Sequence, residues 1–279
     1  MLAITLAVSA AVLWGVADFL AGLASRRIAV PLVLLLVQAG GLVVIGAVTL
    51  ATGEPLPDSD TILLALAAGA CGVTALGLFY RALAIGTMSV VAPVAATGVA
   101  LPVIVGVATG ERPGPAVTAG LAAAVVGIVL ASREEHADAA AARVGRTSLL
   151  LALGAAAGFG VFFVAFDAAA DGSELWTLTL LRAVAIPLVG AVVLARRPAA
   201  PPRPLALQVA GVGVIDMSAT ACLALAATRG DLSVVSVLGS MYPVMTVLLA
   251  ALVLRERLSR LQGAGVALAL VGVGLVAAG

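Results

Sequence analysis

Apolar segments of about twenty residues recur along this chain from one end to the other. Polar and Pro/Gly-rich breaks separate ten of them, and each is long enough to cross a hydrocarbon core of roughly 30 Å as a helix. The predicted spans are residues 2–24, 31–52, 61–80, 88–109, 115–132, 148–167, 174–195, 205–227, 232–254 and 261–278.

The composition supports the same interpretation. Only 10% of the residues are charged and 63% are hydrophobic, whereas soluble domains carry roughly 25% charged residues. Isolated strands would leave backbone groups unpaired in lipid, and the segments lack the alternation of a barrel. We therefore expect an all-α integral membrane protein with ten transmembrane helices. The first segment has no basic leader and is followed by similar segments, so we interpret it as a span and not as a signal peptide.

The two halves of the sequence resemble each other. Residues 86–91, "GTMSVV", match residues 230–235, "GDLSVV", and the pair Glu111–Arg112 matches Glu256–Arg257. The glycines of the fifth span recur in the tenth, as Gly120 and Gly127 against Gly265 and Gly272. All matches share an offset of 144 or 145 residues. The pattern predicts a five-span repeat at 1–132, a connecting loop at 133–147 and a second repeat at 148–279.

Arginine placement predicts the topology. The odd-numbered loops carry most of the arginines: Arg26, Arg27, Arg81, Arg133, Arg143, Arg146, Arg196, Arg197, Arg203, Arg255, Arg257 and Arg260. The even loops carry only Arg112 and Arg229. Arginine near span ends marks the cytoplasmic side, so we expect cytoplasmic odd loops and both termini outside. A five-span unit must invert when it is repeated, which predicts two inverted five-helix repeats.

Several motifs resemble those of the drug/metabolite transporter superfamily, in its EamA-like branch. They are "LWG" at 13–15, "YRALAIG" at 80–86, "MSVVAPV" at 88–94 with its repeat "LSVVSVLGSMYPV" at 232–244, and "GERPGP" and "RERLSR" before the fifth and tenth spans. The resemblance implies a carrier whose central cavity is lined by the first, third and fourth spans of each half. It also implies that the fifth and tenth spans are peripheral.

Three ionisable side chains lie deep in predicted spans, where each costs on the order of 3 kcal/mol. Arg182 and Asp216 lie near the centres of spans 7 and 8, and Asp18 lies in span 1. One interpretation is a structural ion pair of Arg182 with Asp216 or Asp18; the other is that Arg182 binds an anionic substrate group. Gln38 occupies the repeat position of Arg182, which favours an inter-helix hydrogen-bonding role for both.

Asp18 is the strongest candidate for transport chemistry. Trp14 lies four residues earlier, on the same helical face, and an aromatic ring beside a carboxylate can hold an organic cation. Desolvation makes proton exchange by such a carboxylate feasible near neutral pH. By its location alone, Asp18 resembles the proton-exchanging carboxylate of the related small multidrug resistance proteins. The alternatives are a carboxylate that reaches toward the interface and a packing hydrogen bond.

Further candidates come from the fourth and ninth spans. We expect Pro93 and Pro243 to kink these spans or free a carbonyl in the cavity. The remaining candidates for the substrate or proton path are Tyr80, Thr97, Ser240 and Tyr242. Ordinary helix packing is the alternative for each hydroxyl.

The sequence thus predicts a secondary transporter of small organic metabolites or drugs, with export by proton antiport through Asp18 as the preferred mode. Uncoupled facilitation or exchange, with Asp18 structural, is the alternative, and a non-transporting scaffold is a third. No metal, ATP or nucleotide motif is present, so we expect no enzyme activity, no cofactor and no metal. The expected partners are a small-molecule substrate and membrane lipid, without nucleic acid. We expect a monomer, since one chain holds both halves, in the inner membrane of a bacterium.

Overall fold

The computed structural model describes residues 1–101, 105, 114–131, 139–170, 172–227, 229, 238–239 and 241–278. Within these residues the chain is helical and contains no strand. The α-helices are α1 (Leu2–Ser25), α2 (Val30–Thr52), α3 (Ser59–Ile85), α4 (Met88–Ala96), α5 (Pro115–Ala131), α6 (Ala139–Ala170), α7 (Glu174–Arg196), α8 (Arg203–Ala227), α9 (Tyr242–Val253) and α10 (Arg260–Ala278).

Six of these helices are long and apolar enough to cross a membrane: α1, α2, α3, α6, α7 and α8. Helices α5, α9 and α10 are apolar but shorter, and α4 has nine residues. The all-helical membrane architecture predicted from the sequence is therefore present. The described residues establish six of the ten predicted spans by length.

Local sequence signals set several helix ends. Asp58 caps α3, where its carboxylate accepts a hydrogen bond from the Thr61 amide at 2.9 Å. Ser173 caps α7 by accepting from the Trp176 amide at 3.1 Å. Helix α2 ends at Gly53, whose φ of 65° is a left-handed conformation that glycine adopts at little cost.

Part of the predicted connecting segment at 133–147 is helical. Residues 139–147 are helical and continuous with the sixth span, so that α6 begins at Ala139. The physical reason is local propensity, because four consecutive alanines at 139–142 are strong helix formers. Residues 132–138 lie outside the described part of the chain.

Helices α5 and α10 pack together through the glycines that mark the repeat. A Cβ on Gly120 would lie 2.8 Å from the Gly272 carbonyl oxygen, and one on Gly127 would lie 2.7 Å from the Gly265 carbonyl oxygen. Such contacts leave no space for any side chain. The first glycine of each helix therefore lies against the second glycine of the other helix.

A second close crossing joins α2 to α8. A Cβ on Gly40 would lie 2.0 Å from the Ala210 carbonyl oxygen, and one on Gly213 would lie 2.0 Å from the Val37 carbonyl oxygen. The two backbones therefore touch at glycine on both sides. This crossing brings Gln38, which is 5% exposed, against the deep polar residues of the second half.

The loops gather by number at opposite ends of the helix bundle. Loops 1, 3 and 9 meet where Arg26 donates to the Gly86 carbonyl and pairs with Glu256. Loops 2 and 6 meet where Ser173 and the Trp176 indole donate to the side chain and carbonyl of Glu54, at 2.8 and 3.1 Å. We call these the odd end and the even end.

Candidate functional site

Four ionisable or phenolic side chains from four helices converge in the interior. Asp18 of α1 interacts electrostatically with Asp216 of α8, Tyr80 of α3 and Tyr242 of α9. Tyr80 is almost completely buried, and it also interacts electrostatically with Arg182. Two of these helices belong to each half of the chain. The polar candidates of the sequence therefore form one interior cluster between the halves.

Trp14 and Tyr242 add an aromatic wall to this cluster. Their ring centroids are 6.3 Å apart with an interplanar angle of 72°, an edge-to-face arrangement. Trp14 lies one helical turn before Asp18. The phenol group of Tyr242 also interacts electrostatically with the Asp18 carboxylate.

A glycine contact between α1 and α9 positions the two rings. A Cβ on Gly15 would lie 2.5 Å from the Tyr242 carbonyl oxygen and equally close to the Cβ of Met245. The Thr246 hydroxyl donates to the Gly15 carbonyl at 3.2 Å. The glycine of the "LWG" motif thus allows the first turn of α9 to pack directly beside Trp14.

The Arg182 guanidinium is held by two neighbouring side chains. One terminal nitrogen donates to the Asp216 carboxylate and the other donates to the Gln38 side-chain oxygen. Of the two carboxylates considered as partners from the sequence, Arg182 therefore contacts Asp216. Gln38 and Arg182 occupy equivalent positions of the repeat, and they bond directly to each other.

Asp18 differs from Arg182 and Asp216, which form an ion pair with each other. Within the described part of the chain, no hydrogen bond or ion pair reaches its carboxylate. Asp216 and Arg182 neutralise each other, so an ionised Asp18 leaves the described interior with one uncompensated negative charge. A buried charge without a partner is costly, and it attracts a proton or a cation.

A separate cluster at the odd end joins the two halves. The Glu256 carboxylate accepts from the amides of Met88 and Ser89 at 3.1 and 3.0 Å, and from the Ser89 hydroxyl at 2.9 Å. It also pairs with Arg26 at 3.4 Å. We call Glu256, Arg26 and the first turn of α4 the odd-end latch.

The chemistry of the latch explains its geometry. The first turn of a helix has free amide groups and a partial positive charge, which a carboxylate satisfies. Arg26 is held in place because it also donates to the carbonyls of Gly86 and Leu83 at 3.0 and 3.3 Å. The Glu256 carboxylate of the second half therefore contacts both the end of α1, through Arg26, and the start of α4 in the first half.

Comparison with known families decides the relationship. The model of the EamA-like transporter family matches twice, over residues 1–133 and 146–278. The chain belongs to the EamA-like transporter family. The resemblance seen in the sequence motifs is thereby confirmed. Membership makes the protein a multi-pass membrane protein of the drug/metabolite transporter type.

A solved structure supports the same fold for this EamA-like transporter. One such structure, described only as "Crystal structure of protein", has a TM-score of 0.65 and 21% sequence identity. The alignment covers 98% of this chain and 95% of the other. At this identity the likeness establishes the fold alone. No curated protein is similar enough to count as a match.

The prolines of the fourth and ninth spans lie at different places in their helices. Pro243 lies in the first turn of α9, where a helix needs no amide donor. Pro243 therefore costs α9 no backbone hydrogen bond, and its role in the cavity stays a prediction. Pro93 lies inside α4, which ends three residues later and continues as a 3₁₀ turn at Thr97–Val99.

Two predicted hydroxyl positions have different outcomes. The Thr97 hydroxyl donates to the Val94 carbonyl at 2.6 Å, so its own helix satisfies it. Ser240 lies outside the described residues. A role for either in the substrate path stays a prediction.

Sequence reasoning missed the contacts of Glu256 with Arg26 and α4. In the sequence, Glu256 was used only to align the two repeats. The available signal was the "GTMSVV" motif, because Thr87–Ser89 begins a helix with no acidic residue in its own first turn. Such a helix start favours an anionic partner from elsewhere in the chain. The sequence did not indicate which acidic residue would supply it.

Proposed function

We propose that this protein is a secondary transporter that moves small organic metabolites or drugs across a bacterial cytoplasmic membrane. It has ten spans in two inverted five-helix repeats, and it exposes a central site to each side in turn. The observation that carries this proposal is the interior cluster around Asp18, built from helices of both halves. Ionisable groups in a membrane interior are energetically costly, and they commonly mark functional sites.

Alternating access needs an end that opens and closes, and the odd-end latch supplies one. Each hydrogen bond to a charged group contributes roughly 1.5–3 kcal/mol. The Glu256 contacts therefore favour a state in which the odd end is closed. Loss of these contacts lets α1 and α4 separate from the second half and opens the site toward the odd loops.

We assign proton coupling and export to Asp18. The titratable and charged groups that face it are Asp216 from α8, Tyr80 from α3 and Tyr242 from α9, with Arg182 of α7 beyond them. Binding of a proton to Asp18 removes the uncompensated interior charge. An uncoupled facilitator or exchanger with a structural Asp18 is the second candidate, and it requires that flux ignore pH.

Proteoliposomes separate these two mechanisms. A thermal-shift screen of a metabolite library first selects a substrate for the purified protein. We then expect an imposed pH gradient to drive its flux, and we expect Asp18→Asn to abolish that dependence. Asp58→Asn is the matched control, because it makes the same chemical change at an exposed helix cap. Flux that ignores the gradient and persists in Asp18→Asn would establish the uncoupled mechanism instead.

Orientation has a separate test. The arginine distribution supports cytoplasmic odd loops and outside termini. Fusion of alkaline phosphatase to the C-terminus should give activity, and fusion of a cytoplasm-restricted fluorescent reporter should give no fluorescence. The reverse result would invert the assignment of the two ends.

A further inference from the structure

We infer that the central site takes organic cations, with a substrate ammonium group held between Asp18 and the rings of Trp14 and Tyr242. This inference rests on the proposed transport function and adds the chemical class of the substrate. Three independent features of the cluster support it: its charge balance, its aromatic content and the state of its one arginine.

The charge balance favours a positive ligand. The described interior holds Asp18, Asp216 and Arg182, and the latter two are paired with each other. The remaining negative charge is on Asp18, to which the described residues offer no cationic partner. A monovalent cation completes the charge balance, and an anion increases the imbalance by one further charge.

The aromatic content of the cluster is concentrated far beyond its frequency in the chain. The whole sequence contains two tryptophans and two tyrosines. Three of these four side chains, Trp14, Tyr80 and Tyr242, lie around Asp18. Aromatic faces attract ammonium groups, most strongly where water is excluded, and tyrosine hydroxyl oxygens accept their N–H bonds.

The charge of the arginine in the cluster is already balanced within the protein. Arg182 already donates to Asp216 and Gln38 through its two terminal nitrogens. A substrate carboxylate that displaced Asp216 would leave that carboxylate without its cationic partner. The structure therefore favours the structural role for Arg182 over the anion-binding role considered from the sequence.

Trp14 provides a direct reporter for the test. The sequence contains two tryptophans, so the substitution Trp176→Phe leaves Trp14 as the single one. Trp176 lies at the even end, where its indole contacts the Glu54 carbonyl. In this background, fluorescence titration of the purified protein compares three probes on one phenyl-ethyl frame. They are phenethylammonium, neutral 2-phenylethanol and anionic 3-phenylpropionate. Benzyltrimethylammonium adds a cation that has no proton to lose.

We expect both cations to perturb Trp14 fluorescence saturably, with affinities at least about tenfold above those of the alcohol and the carboxylate. Asp18→Asn should remove this preference and Asp18→Glu should retain it, whereas the matched control Asp58→Asn should leave it unchanged. Size-exclusion profiles identify variants that fail to fold, and the rescue by Asp18→Glu then decides. Equal affinities for all probes, preference for the carboxylate, absence of cation binding, or a cation preference that survives Asp18→Asn would each overturn the inference.

The same probes distinguish failure of the inference from failure of the proposed function. In proteoliposomes, cation binding without flux would leave the cation site in place but contradict transport. Flux of neutral or anionic compounds without cation preference would contradict the cation site but leave transport in place.

Discussion

Two helix crossings that the repeat makes equivalent have opposite chemistry. At the crossing of α1 and α8, Asp18 interacts electrostatically with Asp216. An offset of 144 residues converts these positions into Phe162 on α6 and Gly72 on α3. There the phenyl ring lies on the glycine, 2.8 Å from where a Cβ would be, and it packs with Phe163 and Phe166 at ring distances of 5.4 and 5.7 Å.

The comparison shows that both halves place two helices against each other at these positions, but only the first crossing carries ionisable side chains. The first crossing bears two carboxylates, and the second is an aromatic contact on a glycine. A two-fold pair of carboxylates related by the repeat is therefore absent from these positions. A proton or cation site built on Asp18 therefore has no counterpart at the equivalent position of the second half.

The largest expected effect comes from removing the charge at the first crossing. Asp18→Asn should lower substrate flux in proteoliposomes by at least about tenfold and abolish its dependence on a pH gradient, because the amide neither binds a proton nor balances a cation. The matched variant at the second crossing is Phe162→Leu. It should retain the pH dependence of flux, and loss of that dependence in both variants would mean that the two crossings are not chemically distinct.

The next effect concerns the glycine contact that brings Gln38 to Arg182. Gly40→Ala places a methyl group against the Ala210 backbone, so we expect a loss of about 1–3 kcal/mol in the free energy of unfolding, measured by thermal or denaturant unfolding in detergent. Gly211→Ala is the control. No atom lies within 4 Å of its new Cβ, so stability should stay unchanged or rise. Equal losses in both variants would contradict the crossing as described.

The sequence alone predicted the helical membrane architecture and the repeat, and it singled out the glycines at which α5 and α10 meet. These follow from apolar length and from spacing, which are local or periodic properties. It also identified Asp18, Arg182 and Asp216, because a charge is conspicuous in an apolar segment. The choice of Asp216 as the partner of Arg182 depends on helix rotation and crossing, which spacing within one helix does not determine.

Other features depended on contacts between distant segments. Glu256 and Ser89 are 167 positions apart, and neither position shows the other in its local pattern. The helix start at Tyr242 was also missed, because the apolar run of the ninth span hides it. The sequence also joined residues 139–147 to the loop because their charges outweighed, in that interpretation, the helix propensity of four alanines.

A smaller effect is expected at the odd-end latch, which biases the site without contacting it. Glu256→Gln removes the charge that pairs with Arg26 and caps α4, and we expect the odd end to open more often. In a background with Cys71→Ala and Cys222→Ala, a cysteine placed at the fully buried Ala92 reports opening through its maleimide labelling rate. Labelling should rise several-fold, as loss of one charged hydrogen bond predicts.

Glu174→Gln is the matched control for the latch, since Glu174 is an exposed carboxylate in the first turn of α7. It should leave labelling at Ala92→Cys unchanged. A latch variant that labels no faster than this control would show that Glu256 stabilises α4 locally without holding the odd end closed.

The smallest expected effect concerns Asp58, an exposed carboxylate that serves as a contrast to Asp18 at the first crossing. The Thr61 amide donates to Asp58, and this hydrogen bond lowers the pKa of the Asp58 carboxyl below its usual value of 3.8. A lowered pKa in the folded state means that the ionised cap stabilises the fold above about pH 4, and that this contribution fades as acid protonates it. Asp58→Ala should therefore lower the thermal midpoint slightly at pH 6–8 and by less near pH 3, while flux keeps its pH dependence. If Asp58→Ala altered the pH dependence of flux, carboxylates outside the interior would contribute to coupling, and the contrast between the two crossings would no longer account for it.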